Sequence, residues 1–395
     1  MKKGVMFDFI IVVVTILVCL TGLISLNLVS AAEIGWCTNI TSSDTYVLNA
    51  SVESTGTCFN VTVANVIIDC NGSTINYSTS IGGYGVYSNS TNTTVKNCNI
   101  NQVNSGTSGE GIYFDKLNNG SAYNNNITLI GSSYGIYLKS SNYSTVSNNK
   151  FNITGGSIMN FYGILADFSN YNTLSYNEIN LTGRVPIGVL LEKNSNNNVI
   201  FGNNITSLGS EGGYGVELWA HPGYQTMTNN SVFSNVVYSL DTGIGFDGAD
   251  VGIGLDGCSI YYNNITAVGD GVFMENYCSN SSIYNNSITI TGEDYGYIYG
   301  VYIDFSGGNL SVLNNNITVT GDMNTGICLE YNQLEHNPSG MISNVSGNII
   351  NVTGAGDSFG WGGYGIHFHD TVLFHVFNNN ITTSEIDSYG VFFCW

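Results

Sequence analysis

The stretch Gly300-Val301-Tyr302-Ile303-Asp304 constrains this chain more than any other feature, because near copies of it return at a regular interval. They include Gly85-Val86-Tyr87, Gly111-Ile112-Tyr113-Phe114-Asp115, Gly135-Ile136-Tyr137-Leu138-Lys139, Gly188-Val189-Leu190-Leu191-Glu192 and Gly243-Ile244-Gly245-Phe246-Asp247. Gly271-Val272-Phe273-Met274-Glu275, Gly326-Ile327-Cys328-Leu329-Glu330 and Gly365-Ile366-His367-Phe368-His369 continue the series. With one longer gap before Gly365, the spacing is roughly 24 to 30 residues, a range in which each repeat buries its apolar face only by stacking on its neighbours. Each repeat divides into three short apolar pieces between polar turns, as at 135–138, 144–146 and 151–153. Three strands per repeat close a coil, so the expected fold is an all-β parallel solenoid of roughly 11–12 coils. Propeller blades are longer, and their strands are joined by hairpins.

Composition agrees. The chain is 43% hydrophobic but only 9% charged, contains three prolines, and shows no helical spacing of apolar residues after its N-terminal segment. Its polar surface must therefore consist mainly of Asn, Ser, Thr, Gly and Tyr. Eight Lys and Arg against 28 Asp and Glu give a net charge of -20, and no Lys or Arg follows Lys193. Phosphate binding needs clustered cations, so nucleic acid is excluded as a partner; cations or a neutral polysaccharide suit such a surface.

Residues 1–31 read as an export signal: Lys2 and Lys3, an apolar run from Phe9 to about Leu28, then Val29-Ser30-Ala31 as a small-residue cleavage site. An uncleaved anchor is the alternative, since the run approaches the roughly 20 residues that span a bilayer; a membrane would be met only through this segment. Residues 32–65 are expected to cap the first coil, and 66–395 to form the solenoid. The chain stops at Trp395 directly after a repeat strand, which reads as a truncated C-terminus. Two zones depart from the pattern: 241–257, with Asp247, Asp250 and Asp256, and 351–363, with Asp357 and Trp361.

Outside Cys19 the cysteines number eight, an even count that implies disulfides in an oxidising compartment. Cys70 and Cys98 occupy the same register of successive repeats, about 4.8 Å apart once stacked, and suit a bridge. Cys37 with Cys58, flanking the opening segment, is a second expected pair, and Cys258 with Cys278 a third. Cys328 and Cys394 have no evident partner.

Alternation along Gly-Ile-Tyr-Phe-Asp turns Ile and Phe inward and Tyr and Asp outward. Stacking converts such positions into ladders. One ladder is aromatic (Tyr87, Tyr113, Tyr137, Phe273, Tyr302). The next is acidic (Asp115, Asp167, Glu192, Asp247, Glu275, Asp304, Glu330), interrupted by Lys139 and Trp219 and ending at His369. Three readings compete: a solvated acidic face with stacked tyrosines, a groove for glycan or Ca²⁺, and a catalytic site drawing on Asp247, Glu275, Asp304 or Glu330. Asn at the corner before each third piece tolerates the left-handed conformation and can hydrogen-bond the Asn stacked on it.

The recurring Gly-Ile/Val-Tyr-Leu and Asn-Asn-Ile-Thr pieces resemble the right-handed parallel β-helix repeat proteins of the NosD-like, carbohydrate-binding and sugar-hydrolase type, over about residues 60–395. The opening pattern Cys37, Tyr46-Val47-Leu48, Cys58-Phe59 and Val66-Ile67-Ile68-Asp69-Cys70-Asn71-Gly72 is similar to that of exported archaeal surface members. The resemblance implies a right-handed helix and leaves activity open, because such families include lyases, epimerases, hydrolases, copper-site maturation proteins and passive surface proteins. A lyase would need a basic proton acceptor, and Arg184 is the sole arginine, set in a turn. A polygalacturonase-like site would pair Asp residues with cations; the 241–257 zone holds only the acids.

His367 and His369 share the outward face of one strand beside Asp370, a spacing that can bind copper or zinc. Sequons are abundant, and those in loops, at Asn119, Asn229 and Asn344, are the expected glycan carriers. The best reading is an exported cell-surface β-helix, structural or binding a cell-envelope polysaccharide or cations. The alternatives are a polysaccharide lyase or hydrolase and a metal-handling accessory protein. Nothing in the pattern defines an oligomeric state.

Overall fold

The computed structural model describes residues 31–104, 109–131, 134–156, 161–248, 253–292, 297–304, 308–321, 323–330, 342–354, 363–370, 374–384 and 388–394. The residues before Ala31, where an export signal is expected, and Asp250, Asp357, Trp361 and Trp395 lie outside the described residues. The chain divides into two units, 1–32 and 33–395, of which the second holds the solenoid.

Among the described residues the strands form three parallel sheets of 14, 13 and 14 strands, and each turn after the first contributes one strand to each. Thr45–Leu48, Thr74–Tyr77 and Val86–Ser88 are early strands of the first, second and third sheets; among the described residues there is no helix. Pairing is parallel and in register from rung to rung, as where Ile112, Tyr113, Phe114 and Asp115 lie beside Ile136, Tyr137, Leu138 and Lys139. The alternation predicted from sequence decides the core. Ile112 and Phe114 are fully buried inside the coil, with Val86 stacked on Ile112 from the rung before and Ile136, Leu138, Ile164 and Val189 on the rungs that follow. At roughly 1.5–3 kcal/mol per buried aliphatic or aromatic side chain, this continuous column is the main stabilising term.

The repeated glycine stands where no side chain fits. A Cβ on Gly243 would meet Ile265 Cγ2 at 2.4 Å and the carbonyl oxygen of Gly271 at 2.6 Å. The corner asparagines divide their work between neighbours. Asn124, Asn148, Asn285, Asn314 and Asn378 adopt φ of 55–56°, while the residue after each carries a buried amide ladder. In that ladder the Nδ2–H of Asn125 reaches Asn149 Oδ1 at 2.9 Å and that of Asn149 reaches Asn177 Oδ1 at 3.0 Å, and the series runs on to Asn379.

Residues 32–65, expected to cap the first coil, are themselves coil. Thr45–Leu48 pairs with Val66–Asp69, Val52–Glu53 with Thr74–Tyr77, and Phe59–Val61 with Val86–Ser88. The reason is that Leu48, Val52, Phe59 and Val61 already supply the inward apolar positions. Cys37–Cys58 and Cys70–Cys98 are disulfide-bonded, each joining successive turns, with Cα atoms 4.5 and 4.7 Å apart. Cys258 and Cys278, expected as a third pair, are free thiols. Their columns differ: the Cys258 N–H bonds Ser281 Oγ, and the bridge between Asp256 and Ser279 places Cys278 beside Leu255.

Candidate functional site

The outer face of the third sheet gathers nearly every residue singled out in sequence. Tyr87, Tyr113 and Tyr137 form one column, which continues through Leu165, Leu190, Glu217, Gly245, Phe273, Tyr302, Cys328 and His367. Two residues further along each strand runs the acidic column. Asp115 pairs with Lys139, Lys139 with Asp167, Asp167 with Glu192, Glu192 with Trp219, Trp219 with Asp247 and Asp247 with Glu275. Beyond Glu275, Asp304 pairs with Glu330, Glu330 with His369 and His369 with Cys394.

Alternation gives the direction of these side chains but not their exposure. Asp167, Glu192 and Asp304 are only 4%, 8% and 7% exposed, whereas Asp115, Asp247, Glu275 and Glu330 are half-buried, so the acidic column is only partly solvated. The tyrosines cover the acids and bond to them. Tyr87 Oη donates to Asp115 Oδ2 at 3.2 Å, Tyr137 Oη to Asp167 Oδ2 at 3.1 Å, and Tyr302 Oη lies within reach of Asp304 Oδ2 and Glu330 Oε2. Lys193 Nζ sits 2.6 Å from Glu192 and 3.5 Å from Asp167, filling the place a bound cation would take between them. A second apolar cluster lies outside the coil for the same reason: Tyr162, Leu165, Ile187 and Leu190 bury one another, flanked by Tyr134, Tyr137, Tyr214 and Trp219.

Burial raises the pKa values of several carboxyls. Glu217 is pushed up to about 8 by burial and then by the charges of Asp247 and Glu192. Asp247 rises to about 6 through burial and the neighbouring Glu275. Glu110 and Asp270 each rise to about 7, chiefly through burial. Glu217 escaped the reading of the sequence because it replaces an aromatic residue in its repeat. Counting columns rather than motifs would have found it.

Two hollows open on this face. One, of about 760 Å³, lies at the N-terminal end among Asn39, Asn60, Tyr84, Tyr87, Tyr113 and Asp115. Tyr84 and Tyr87 stack with centroids 5.6 Å apart, and Tyr113 lies parallel to Tyr137 at 4.9 Å. Asn60, in register with Tyr87, donates its Nδ2–H to Oδ1 of Asn39 on the rung before it at 3.0 Å, so two amides extend the tyrosine column. The second hollow, about 320 Å³, is lined by Tyr297, Tyr299, Thr325, Glu330, Tyr364, His367 and His369.

His367 and His369 both face outward, with ring centroids 6.1 Å apart. Asp370 reaches His369 alone, at 3.9 Å. The ring nitrogens of His367 meet residues of the strands on either side: Cys328 Sγ lies 3.6 Å from Nδ1 and Cys394 Sγ 3.2 Å from Nε2. Among the sequons, Asn119 and Asn229 are exposed, and Asn344 is half-buried on a first-sheet strand. The first sheet carries an aromatic stack that the motif search missed, in which Phe201, Phe233, Tyr261 and Tyr284 follow one another at centroid spacings of 5.1, 4.7 and 4.8 Å.

The ladders and the three sheets define a right-handed parallel β-helix. Residues 64–232 match the family model described as the right handed beta helix region. The fold is similar to that of the Dettilon tailspike protein (15% identity, TM-score 0.51, covering 80% of this chain and 63% of that one). The chain thus spans less than two thirds of that protein. It is also similar to the tailspike protein of E. coli bacteriophage HK620, solved in complex with a pentasaccharide (10% identity, TM-score 0.56, 86% and 67% covered). The periplasmic alginate epimerase AlgG aligns over 90% of this chain and 84% of its own at 12% identity, with a TM-score of 0.42 that carries no argument. No curated protein matches in sequence. These likenesses concern the fold. The two disulfides point to an oxidising compartment.

Proposed function

We propose that the chain is an exported, surface-disposed β-helix that binds a neutral polysaccharide along the outer face of its third sheet. The observation that carries this is the hollow lined by Tyr84, Tyr87 and Tyr113 together with the amides of Asn39 and Asn60, which continue the column of Tyr87 toward the N-terminus. A sugar ring offers an apolar face and a rim of hydroxyls. Tyrosine rings take the first, while fixed amides and the Asp115 carboxylate take the second. Regular spacing of about 4.8 Å between rungs suits a ligand that is itself a linear repeat. With a net charge of -20, a polyuronate would be repelled, which favours an uncharged chain. The pentasaccharide held by a tailspike of the same fold supports a glycan in general. Export is supported by Lys2, Lys3 and the apolar run that follows, together with the disulfides.

The test is a panel of neutral and uronic-acid polysaccharides read by both binding and product release. The reading expects binding of a neutral member that Tyr87→Ala weakens at least about tenfold, the loss of one good contact of about 1.4 kcal/mol. Binding confined to uronates, or unaffected by Tyr87→Ala, contradicts it.

One observation favours a second reading, in which the chain cleaves its glycan. Glu217, raised to about 8, keeps its proton at neutral pH beside Asp247, as a general acid must. Product release lost in Glu217→Gln and Asp247→Asn with binding retained supports it; absence of product release from every glycan bound refutes it.

A further inference from the structure

The outer columns of the third sheet change character at their C-terminal end. In place of Tyr302 the next rung has Cys328 and the one after it His367, while the acidic column supplies Glu330 beside Cys328. Cys328 is fully buried and His367 only 7% exposed. Cys328 Sγ lies 3.5 Å from Glu330 Oε1 and 3.6 Å from His367 Nδ1, and all three donor atoms fall within 4.8 Å of one another.

Two explanations fit a thiol so placed. In the first, the S–H simply donates a hydrogen bond. Both contacts are then filled only if the S–H points to Glu330 while His367 carries its proton on Nδ1 and donates it to Sγ. In the second, the three atoms are corners of a coordination tetrahedron. With Zn–S near 2.3 Å and Zn–N or Zn–O at about 2.0–2.2 Å, the S···N and S···O edges of such a tetrahedron measure about 3.5–3.6 Å. The two observed separations match.

The geometry points to a transition-metal site formed by Cys328, Glu330 and His367, with Zn²⁺ as the ion that its mixed S, N and O donors suit. Three protein ligands leave a fourth position, and the hollow lined by Tyr297, Tyr299, Tyr364 and His369 adjoins it. An exchangeable oxygen ligand therefore completes the set. Cys394 Sγ, 3.2 Å from His367 Nε2, holds the imidazole from its far side. A Cys328–Cys394 disulfide does not compete, because the two cysteines are two rungs apart, roughly 10 Å along the solenoid, beyond the reach of a bridge. This set differs from the one suggested by the strand sequence: Asp370 drops out, and Cys328 and Glu330, one turn earlier, enter. It stands independently of glycan binding.

The experiment loads the full chain, its free thiols kept reduced, with Co²⁺ or Zn²⁺ alone. The expected result is about one ion per chain and, with Co²⁺, a thiolate-to-metal charge-transfer absorption. Cys328→Ser and His367→Gln should abolish that absorption and the stoichiometric uptake. Cys258→Ser and Asp370→Asn should leave both unchanged. Glu330→Gln, close in shape to the original, should keep the absorption but weaken binding about tenfold or more. If Cys328→Ser or His367→Gln loses the strand signature in circular dichroism, Glu330→Gln decides in its place. No uptake by the unaltered chain, uptake without the thiolate band, or full affinity in Glu330→Gln overturns the site.

Discussion

Asn177 gives both its backbone N–H and its side-chain Nδ2–H to Oδ1 of Asn203, each at 2.9 Å, while its Nδ2 also reaches the Val146 carbonyl at 3.0 Å. One side-chain oxygen thus satisfies two donors from the turn before it, deep in the coil. The ladder built from this relation fixes the register of the turns from Asn125 to Asn379, and the columns of functional side chains over those turns depend on that register.

Asn203→Ala removes the acceptor and leaves two donors of Asn177 buried without partners. At roughly 1–3 kcal/mol for each orphaned group, a loss on the order of 3 kcal/mol is expected in chemical denaturation. An effect below about 0.5 kcal/mol would mean that the amides do not lock the turns.

Acid should stabilise this protein. Glu217, Glu110, Asp270 and Asp247 have folded pKa values of about 8, 7, 7 and 6, all above their ordinary values of 4.5 or 3.8. Between the ordinary and the raised value the folded chain holds more protons than the unfolded one, so stability falls as pH rises through that interval. The melting temperature is expected to decline from about pH 5 to about pH 8, and Glu217→Gln, which mimics the protonated form, should flatten the upper part of that slope. A melting temperature that rises over this range would contradict the burial of these carboxyls.

The Cys70–Cys98 bridge closes a loop with a sequence separation of 28. Constraint of the unfolded chain by such a loop is worth roughly 3–4 kcal/mol. Cys70→Ser with Cys98→Ser should lower stability by that order, whereas Cys258→Ser with Cys278→Ser should change it much less and leave the mapped disulfides intact. Recovery of a Cys258–Cys278 peptide after digestion would contradict the column assignment.

Gly243→Ala brings a methyl to 2.4 Å from Ile265 Cγ2 and 2.6 Å from the Gly271 carbonyl. The backbone atom cannot yield without displacing the next rung, so the cost should reach about 1–3 kcal/mol by thermal or chemical unfolding. Gly72→Ala meets nothing within 4 Å but sits at φ +82°, so its smaller expected cost comes from backbone strain alone.

Much of this was legible in the sequence, because a period-2 pattern inside a regular repeat fixes both the direction of a side chain and the residue stacked on it. The neighbours of Tyr113 and Asp247 follow from counting. Burial of the outward face does not. Whether Asp167 meets water depends on how Tyr137 lies across it and where Lys193 reaches, contacts set by side-chain packing rather than by alternation. Glu217 and Cys328 each take a tyrosine's place in a strand that still reads as a repeat, so a column defined by aromatic residues passes over them. Residues 32–65 read as a cap because their spacing lacks the glycine, yet Leu48, Val52 and Phe59 alone suffice to place them in the coil.

Two aromatic ladders stand on this solenoid, and the account assigns the glycan to one of them. Titration calorimetry with the neutral polysaccharide retained in the panel, run on Tyr87→Ala and on Tyr261→Ala, tests that assignment most directly. The prediction is a loss of about tenfold or more for Tyr87→Ala, at the hollow beside Asn39 and Asn60, with affinity unchanged for Tyr261→Ala on the first sheet. The reverse pattern, or a chain that binds no neutral polysaccharide, would contradict it.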